Sequence, residues 1–306
     1  MLVLLGLPGA AWAAFPGANG RIAFVQSQAA TSDIYTIRPD GSGTERLTND
    51  VAPEGQLSWS ASGYRLAYVR GHQLFTIGAH GGNPPELAHE IGGIRYPHYS
   101  PNGRRIVFAT WVAHESRIVT IRSDGSDRRR VVSGEALDSP SYSPNGKRIV
   151  FRGLPQGKQD GIWTIKPDGS GLQRLTRNPY RDVYPEWAPD GRHILFLRCN
   201  DPDQWDCTVN LPDGGLQLMR ADGSHRRTIA RFYEGFTPPV FSPSGDRIAR
   251  VHTESQYFDE DFCSDIFTIT LGGTNQGPIT DYCEHYFDDG TREFAGQPSW
   301  QPIPAG

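Results

Sequence analysis

The sequence predicts an all-β fold: a six-bladed β-propeller of four-stranded blades, its ring closed by the C-terminal strand joining the N-terminal blade. Three observations carry that prediction. First, an aromatic–turn–strand signature recurs, as Tyr99-Ser-Pro-Asn-Gly-Arg-Arg-Ile-Val-Phe108, Tyr142-Ser-Pro-Asn-Gly-Lys-Arg-Ile-Val-Phe151 and Trp187-Ala-Pro-Asp-Gly-Arg-His-Ile-Leu-Phe196, with weaker copies from Trp59 and Phe241. Second, its turn glycines, Gly20, Gly63, Gly103, Gly146, Gly191 and Gly245, are separated by 43, 40, 43, 45 and 54 residues. A period of about 40–45 residues with four short strands per unit is what a propeller blade requires. Third, Gln297–Pro302 reads as a first strand with nothing after it, and Ala18–Phe24 resumes at the turn and second strand. Joined, the two fragments complete one unit and remove the open seam of the ring.

Within each unit the strands A to D follow in order. Strand A ends on the recurrent aromatic. The Asn-Gly or Asp-Gly turn supplies the positive φ that a tight hairpin needs. Strand B is the apolar run after it, as in Leu195 and Leu197. Strand C alternates apolar and polar positions, as in Asp33-Ile-Tyr-Thr-Ile37 and Gly161-Ile-Trp-Thr-Ile165, and a Pro-Asp-Gly turn leads to strand D. Trp59, Tyr99, Tyr142, Trp187, Phe241 and Trp300 share one repeat position, which makes them core between blades.

On these motifs the chain resembles the TolB-type, WD40-like PD40 β-propellers. Their repeat reads approximately Trp-Ser-Pro-Asp-Gly-Lys-Arg-Ile-Ala-Phe, then Asp-Ile-Tyr and later Asp-Gly-Ser-Gly and Arg-Leu-Thr. The resemblance covers residues 18–302 and is sharpest at Trp187–Phe196, Asp33–Thr48 and Gly161–Thr176. It is degenerate at Ser58–Tyr68, where Ala-Ser-Gly replaces Pro-Asp-Gly, and at Thr270–Pro278, where Gly-Gly replaces the Asp-Gly turn. The resemblance implies a ligand- or protein-binding scaffold. Full-length TolB also has an N-terminal α/β domain, for which this sequence leaves no room, so a Tol-system role is not expected to transfer.

One propeller domain is expected over 15–306. Residues 1–14 read as the remnant of a secretory signal, because Leu2–Leu7 are apolar and small residues lead to Ala11-Trp-Ala13. That run is too short to span a bilayer. The net charge of −4 argues against broad nucleic-acid binding. The basic runs Arg128-Arg-Arg130 and Arg226-Arg227 fall where strand D begins, and charge there discourages edge pairing. Four cysteines fit two disulfides in an oxidising compartment. Cys263 and Cys283 lie equally far from a hairpin centre at Gly273, and Cys199 with Cys207 closes a small loop. A zinc site is the alternative, but the spacings match no C-x-x-C pattern.

The A–B and C–D turns are short and lie on one face. The B–C and D–A connections lie on the other and hold the length variation, so that loop face is the expected functional surface. The last residues of the D–A loops should rim the channel: Arg95, Tyr96, Asp138, Arg181, Asp182, Tyr184, Glu234, Phe236 and Glu293. Aromatics mixed with both charge signs suit a protein, peptide or carbohydrate. The acidic loops around Asp201, Asp203 and Asp206, around Asp259–Asp261, and around Asp281–Asp289 raise calcium. No calcium-loop motif is met, and no cofactor is expected. Catalytic motifs are missing too: no Gly-x-Ser-x-Gly occurs, and His89 is followed by Gly93 where a zincin needs its second histidine. His98 is a lone histidine that faces the mouth if it turns inward. The leading reading is a secreted or cell-envelope binding propeller, monomeric and non-catalytic. The alternative is an extracytoplasmic propeller lyase or hydrolase acting on a carbohydrate or ester at the channel mouth.

Overall fold

The computed structural model describes residues 17–28, 31–112, 115–177, 180–199, 214–231, 238–255, 262–280 and 293–303. Among them every regular element is a strand. The chain opens with β1 (Ala18–Gln28), β2 (Thr31–Ile37) and β3 (Glu45–Arg46). The next repeat is β4 (Glu54–Trp59), β5 (Arg65–Arg70), β6 (Gln73–Gly78) and β7 (Glu86–His89). Then come β8 (Ile94–Tyr99), β9 (Arg105–Val112), β10 (Glu115–Arg122) and the long β11 (Arg129–Tyr142). β12 (Ile149–Pro155), β13 (Ile162–Ile165) and β14 (Gln173–Arg174) follow. β15 (Arg181–Trp187), β16 (His193–Cys199), β17 (Gly215–Arg220) and β18 (Arg227–Ala230) make a complete repeat. The last strands are β19 (Val240–Phe241), β20 (Arg247–Ser255), β21 (Phe262–Thr270), β22 (Asn275–Pro278) and β23 (Glu293–Ile303).

Hydrogen bonding joins these strands into four sheets, not into six separate ones as the repeat count suggests. β4–β7 and β15–β18 are four-stranded sheets of one repeat each. β8 to β14 form one seven-stranded sheet because β11 runs on without a break. Its first half pairs with β10, through Ser116↔Gly134, and its second half with β12, through Asp138↔Arg152. The eight-stranded sheet holds β19–β22 and β23 with β1–β3, connected by one parallel bridge, Ser264↔Phe294. In that sheet β23 lies antiparallel to β1, from Ala18↔Ile303 to Gln28↔Glu293, the pairing expected of the last strand with the first. Trp300 Nε1 donates to Gly20 O at 3.2 Å, and the Gln301 amide accepts from Arg21 N while donating to Gly63 O.

Period-2 alternation on a strand buried on both sides feeds two interfaces. In β9, Ile106 and Phe108 pack with Ala67 and Val69 of β5, whereas Val107 and Ala109 pack with Ile149 and Phe151 of β12. The same division recurs along the chain, and the six recurrent aromatics are all buried in these contacts. The Arg-Leu-Thr signature has its own role. Ile34 N donates to Thr48 Oγ1, Ile162 N to Thr176 Oγ1 and Ile266 N to Thr280 Oγ1, at 2.8–2.9 Å. Each threonine thereby satisfies a backbone donor of the third strand of its repeat. Neighbouring A–B turns also touch: Gly146, whose φ of 66° suits glycine, lies against the Pro101 ring, and a Cβ there would sit in van der Waals contact at 3.6 Å.

Candidate functional site: the channel mouth

β4, β8, β11, β15, β23 and the segment entering β19 surround a central bore of about 140 Å³. A shared irregularity shapes it. The registers of β4, β8, β11 and β15 shift at Gly55/Ser58, Arg95/His98, Asp138/Ser141 and Val183/Glu186. At these bulges Gln56, Tyr96, Ser139 and Tyr184 take φ between 48° and 58°, and Gln297 of β23 takes 51°. Left-handed backbone is unfavourable for such residues, by about 1–3 kcal/mol each. The bulge turns one side chain per strand out of the alternation and towards the bore. Proline follows at Pro97, Pro140, Pro185 and Pro298, so no N–H is left over where the ladder is interrupted.

Deep in the bore the polar groups tie strand to strand. Gln56 N donates to Gln297 Oε1, and Tyr96 N to Gln56 Oε1 at 2.6 Å. Tyr99 N reaches Ser58 Oγ at 3.3 Å, and Phe241 N donates to Glu186 Oε2 at 3.1 Å. His98 Nδ1 lies 2.8 Å from Tyr99 O, with Ser141 Oγ 3.4 Å from its Nε2. Burial holds the His98 imidazolium form down, to about 4. Burial pushes the Glu186 carboxyl up to about 8, partly offset by the Phe241 N–H. Both shifts favour the neutral form at pH 7.

At the mouth, Tyr96 and Tyr184 lie side by side, their rings tilted at 56° with centroids 5.9 Å apart. Burial, together with the carboxylate of Asp138, raises both phenols. Asp138 is raised by burial to about 6, against the Ser139 N–H and the nearby cations Arg152, Arg95 and Arg181. One carboxyl thus lies within electrostatic reach of three guanidinium groups and two phenols. Arg152 Nη2 is held by Asp160 at 2.8 Å, while its buried Nε has no partner among the described residues.

Of the expected rim residues, Arg95, Tyr96, Asp138, Arg181 and Tyr184 converge here. Asp182 does not, which corrects the expectation. Its carboxylate grips Arg198 at 2.7 and 2.9 Å, with both side chains at most 1 % exposed. Asp182 and Arg198 are cross-strand partners between β15 and β16, and the bulge at Tyr184 sends the two neighbours of Val183, Asp182 and Tyr184, different ways. Glu234 and Phe236 lie outside the described residues. Glu293 is placed only as backbone, opposite Gln28. Sequence reasoning missed Arg152 and Glu186. Arg152 had a signal: it stands where the equivalent second strands have Val25, Val69, Ala109, Leu197 and Val251.

Cys199 is buried and disulfide-bonded, and no described cysteine is free. Cys207 and Cys283 lie outside the described residues, and of Cys263 only the backbone is described. The acidic loops considered for calcium also lie outside them. Among the described residues no three His, Cys, Asp or Glu side chains gather as a metal site would require.

The TolB β-propeller domain family model matches residues 7–170 and 96–201, more than half of the chain. The chain belongs to the TolB β-propeller domain family. An uncharacterized protein of Agrobacterium fabrum (strain C58) is 30% identical over 227 residues, 72% of this chain and 61% of that protein. The chain thus spans less than two thirds of that relative. TolB from Acinetobacter baumannii superposes with a TM-score of 0.73 at 16% identity, covering 98% of this chain and 69% of that one. The putative TolB from Agrobacterium tumefaciens gives 0.68 at 20% identity, covering 90% and 91%. At these identities the structural likeness establishes the propeller fold alone.

Proposed function

We propose that this TolB-type propeller is a non-catalytic scaffold of the cell envelope or its exterior, which binds a carboxylate-bearing segment of a partner protein at the channel mouth. The observation that carries this reading is the cluster at the mouth. Arg95, Arg152 and Arg181 are gathered near the carboxyl of Asp138, beside the rings of Tyr96 and Tyr184. Guanidinium groups recognise carboxylates through paired donors, and tyrosines supply rigid contact area at low entropic cost. The deeper polar groups already satisfy strand-to-strand hydrogen bonds, which favours binding over chemistry.

The reading takes the ring as six blades, with each of the two larger sheets counted as two. It is supported by six apolar clusters, each shared by consecutive repeats, the last joining Trp300 and Phe24 to Ala249 and Ile266. It includes the bridges Cys199–Cys207 and Cys263–Cys283, export through the residue 1–14 segment, and a monomer.

The test is a peptide library screened by thermal shift, with hits measured by calorimetry. Tyr96→Ala combined with Tyr184→Ala should weaken a hit by about 2 kcal/mol or more, roughly thirtyfold, because aromatic anchors in desolvated pockets dominate binding. Arg129→Ala, on the exposed outer strand, should change nothing. Equal affinity of parent and double variant moves the site off the mouth. Product formation from a bound oligosaccharide or ester favours the lyase or hydrolase instead.

A further inference from the structure

The face opposite the mouth has a charge pattern that the mouth does not use. In three consecutive repeats an exposed cation stands on each side of the turn face. Arg104 follows the β8–β9 turn and Arg122 precedes the β10–β11 turn. Lys147 and Lys166 hold the same places around β12 and β13, and Arg192 and Arg220 hold them around β16 and β17. All six are exposed. The neighbouring repeats break the pattern, with Tyr64 and Gly78 on one side and Asp246 and Thr270 on the other. The runs Arg128–Arg130 and Arg226–Arg227 begin directly after two of these same turns.

The acids on this arc are Asp124, Asp127, Asp168, Asp190 and Asp222, fewer than the cations once the two arginine runs are counted; Asp127 pairs with Arg105, Arg129 and, at 3.5 Å, Arg122. Asp124, Asp168 and Asp222 each cap their own turn, accepting the backbone N–H of Ser126, Ser170 and Ser224 at 2.8–2.9 Å. The arc is therefore net basic in a chain whose formal charge is −4. It is also level. The turns are short, and successive ones abut: a Cβ at Gly146 or Gly191 would meet Pro101 or Pro144 at 3.6 or 3.4 Å.

We propose that this turn face docks the protein onto an anionic lipid surface. A plane of lipid phosphates meets all six cations together, whereas a peptide or a single phosphate meets only adjacent ones. Basic groups held near an anionic leaflet add their attractions, and salt screens them within a Debye length. Docking by this face leaves the channel mouth towards solvent, open to a partner.

The test is co-sedimentation with vesicles of phosphatidylcholine alone or mixed with phosphatidylglycerol. The parent should bind the mixed vesicles at least about tenfold more strongly at low ionic strength, and lose that advantage when the Debye length falls to about 3 Å near 1 M salt. Lys147→Glu, Lys166→Glu and Arg192→Glu together should reduce binding by at least about tenfold. A charge-matched set from the loop side, Lys158→Glu, Arg177→Glu and Arg231→Glu, should reduce it by less than about threefold. All six positions are exposed, so melting temperatures should hold; if the first set melts early, the same three positions as Gln replace it. The proposal is overturned if the parent ignores phosphatidylglycerol, if both sets lose equally, or if the parent binds soluble dextran sulfate but no vesicle.

Discussion

At the scale of single residues, Asp182 and Tyr184 show where sequence reasoning succeeds and where it stops. Both precede Pro185 and, by strand periodicity, should share a face. The bulge breaks that periodicity, so Tyr184 meets Tyr96 while Asp182 is buried against Arg198. The proline after Tyr96, Ser139, Tyr184 and Gln297 marks the left-handed position in sequence, but it does not say which side chain the bulge turns inward. Glu186, on the same strand, gives a pH prediction. Its carboxyl is raised from 4.5 to about 8, so the folded chain retains a proton that the unfolded chain releases, and stability falls as pH rises through that window. Asp138, raised to about 6, acts in the same direction at lower pH, and His98, lowered from 6.5 to about 4, acts oppositely there. Between pH 7 and 8 Glu186 dominates the titration of these three, at a cost to the parent of about 1.4 kcal/mol or less. Glu186→Gln keeps an acceptor for Phe241 N and has no proton to lose. Its melting curve should be flatter than the parent's over that range and lie higher at pH 8. Parallel pH profiles would mean that the carboxyl is ionised in the fold.

At the scale of elements, the strands were legible because two requirements left separate marks. Strands buried on both sides need unbroken apolar runs, seen in Ile106–Phe108 and Ile149–Phe151, and tight hairpins need Asn-Gly or Asp-Gly. Less legible was the work of Thr48, Thr176 and Thr280. They appear in sequence as the end of Arg-Leu-Thr or a degenerate copy of it, with no sign that the hydroxyl closes a backbone bond fourteen residues upstream. Thr176→Val tests this. It keeps the shape but removes the acceptor for Ile162 N at a position 4 % exposed. A buried donor left unsatisfied costs about 1–3 kcal/mol, so urea unfolding should show a loss of that size. Thr→Val at an exposed site would cost little, and a loss below about 0.5 kcal/mol at Thr176 would mean that Ile162 N finds another acceptor.

At the scale of the whole molecule, the repeat count and the sheet count differ for a physical reason. Sheets are defined by hydrogen bonds, and β11 and the Ser264↔Phe294 bridge carry those bonds from one repeat into the next. Side-chain packing is more regular than the hydrogen bonding, since each recurrent aromatic fills a contact between consecutive repeats. The ring therefore depends most on the strand that closes it. β23 pairs along β1, sends Trp300 into the cluster with Ala249 and Ile266, and offers Ser299 O to Trp59 Nε1 at 3.2 Å. Losing it exposes the edge of β1 and opens packing on both flanks. Trp300→Ala alone should cost about 3–5 kcal/mol, the usual range for emptying a large core site. Ending the chain after residue 296 should cost more, because the bonds from β23 to β1 at Trp300, Pro302 and Ile303 go with the indole. The two variants should lose stability in that order by urea unfolding, with the truncated chain also gaining susceptibility to proteolysis at the uncovered β1 edge. A truncated chain melting within a degree or two of the parent would show that the ring holds its shape without the closing strand, and that the contacts of Trp300 follow from closure without securing it.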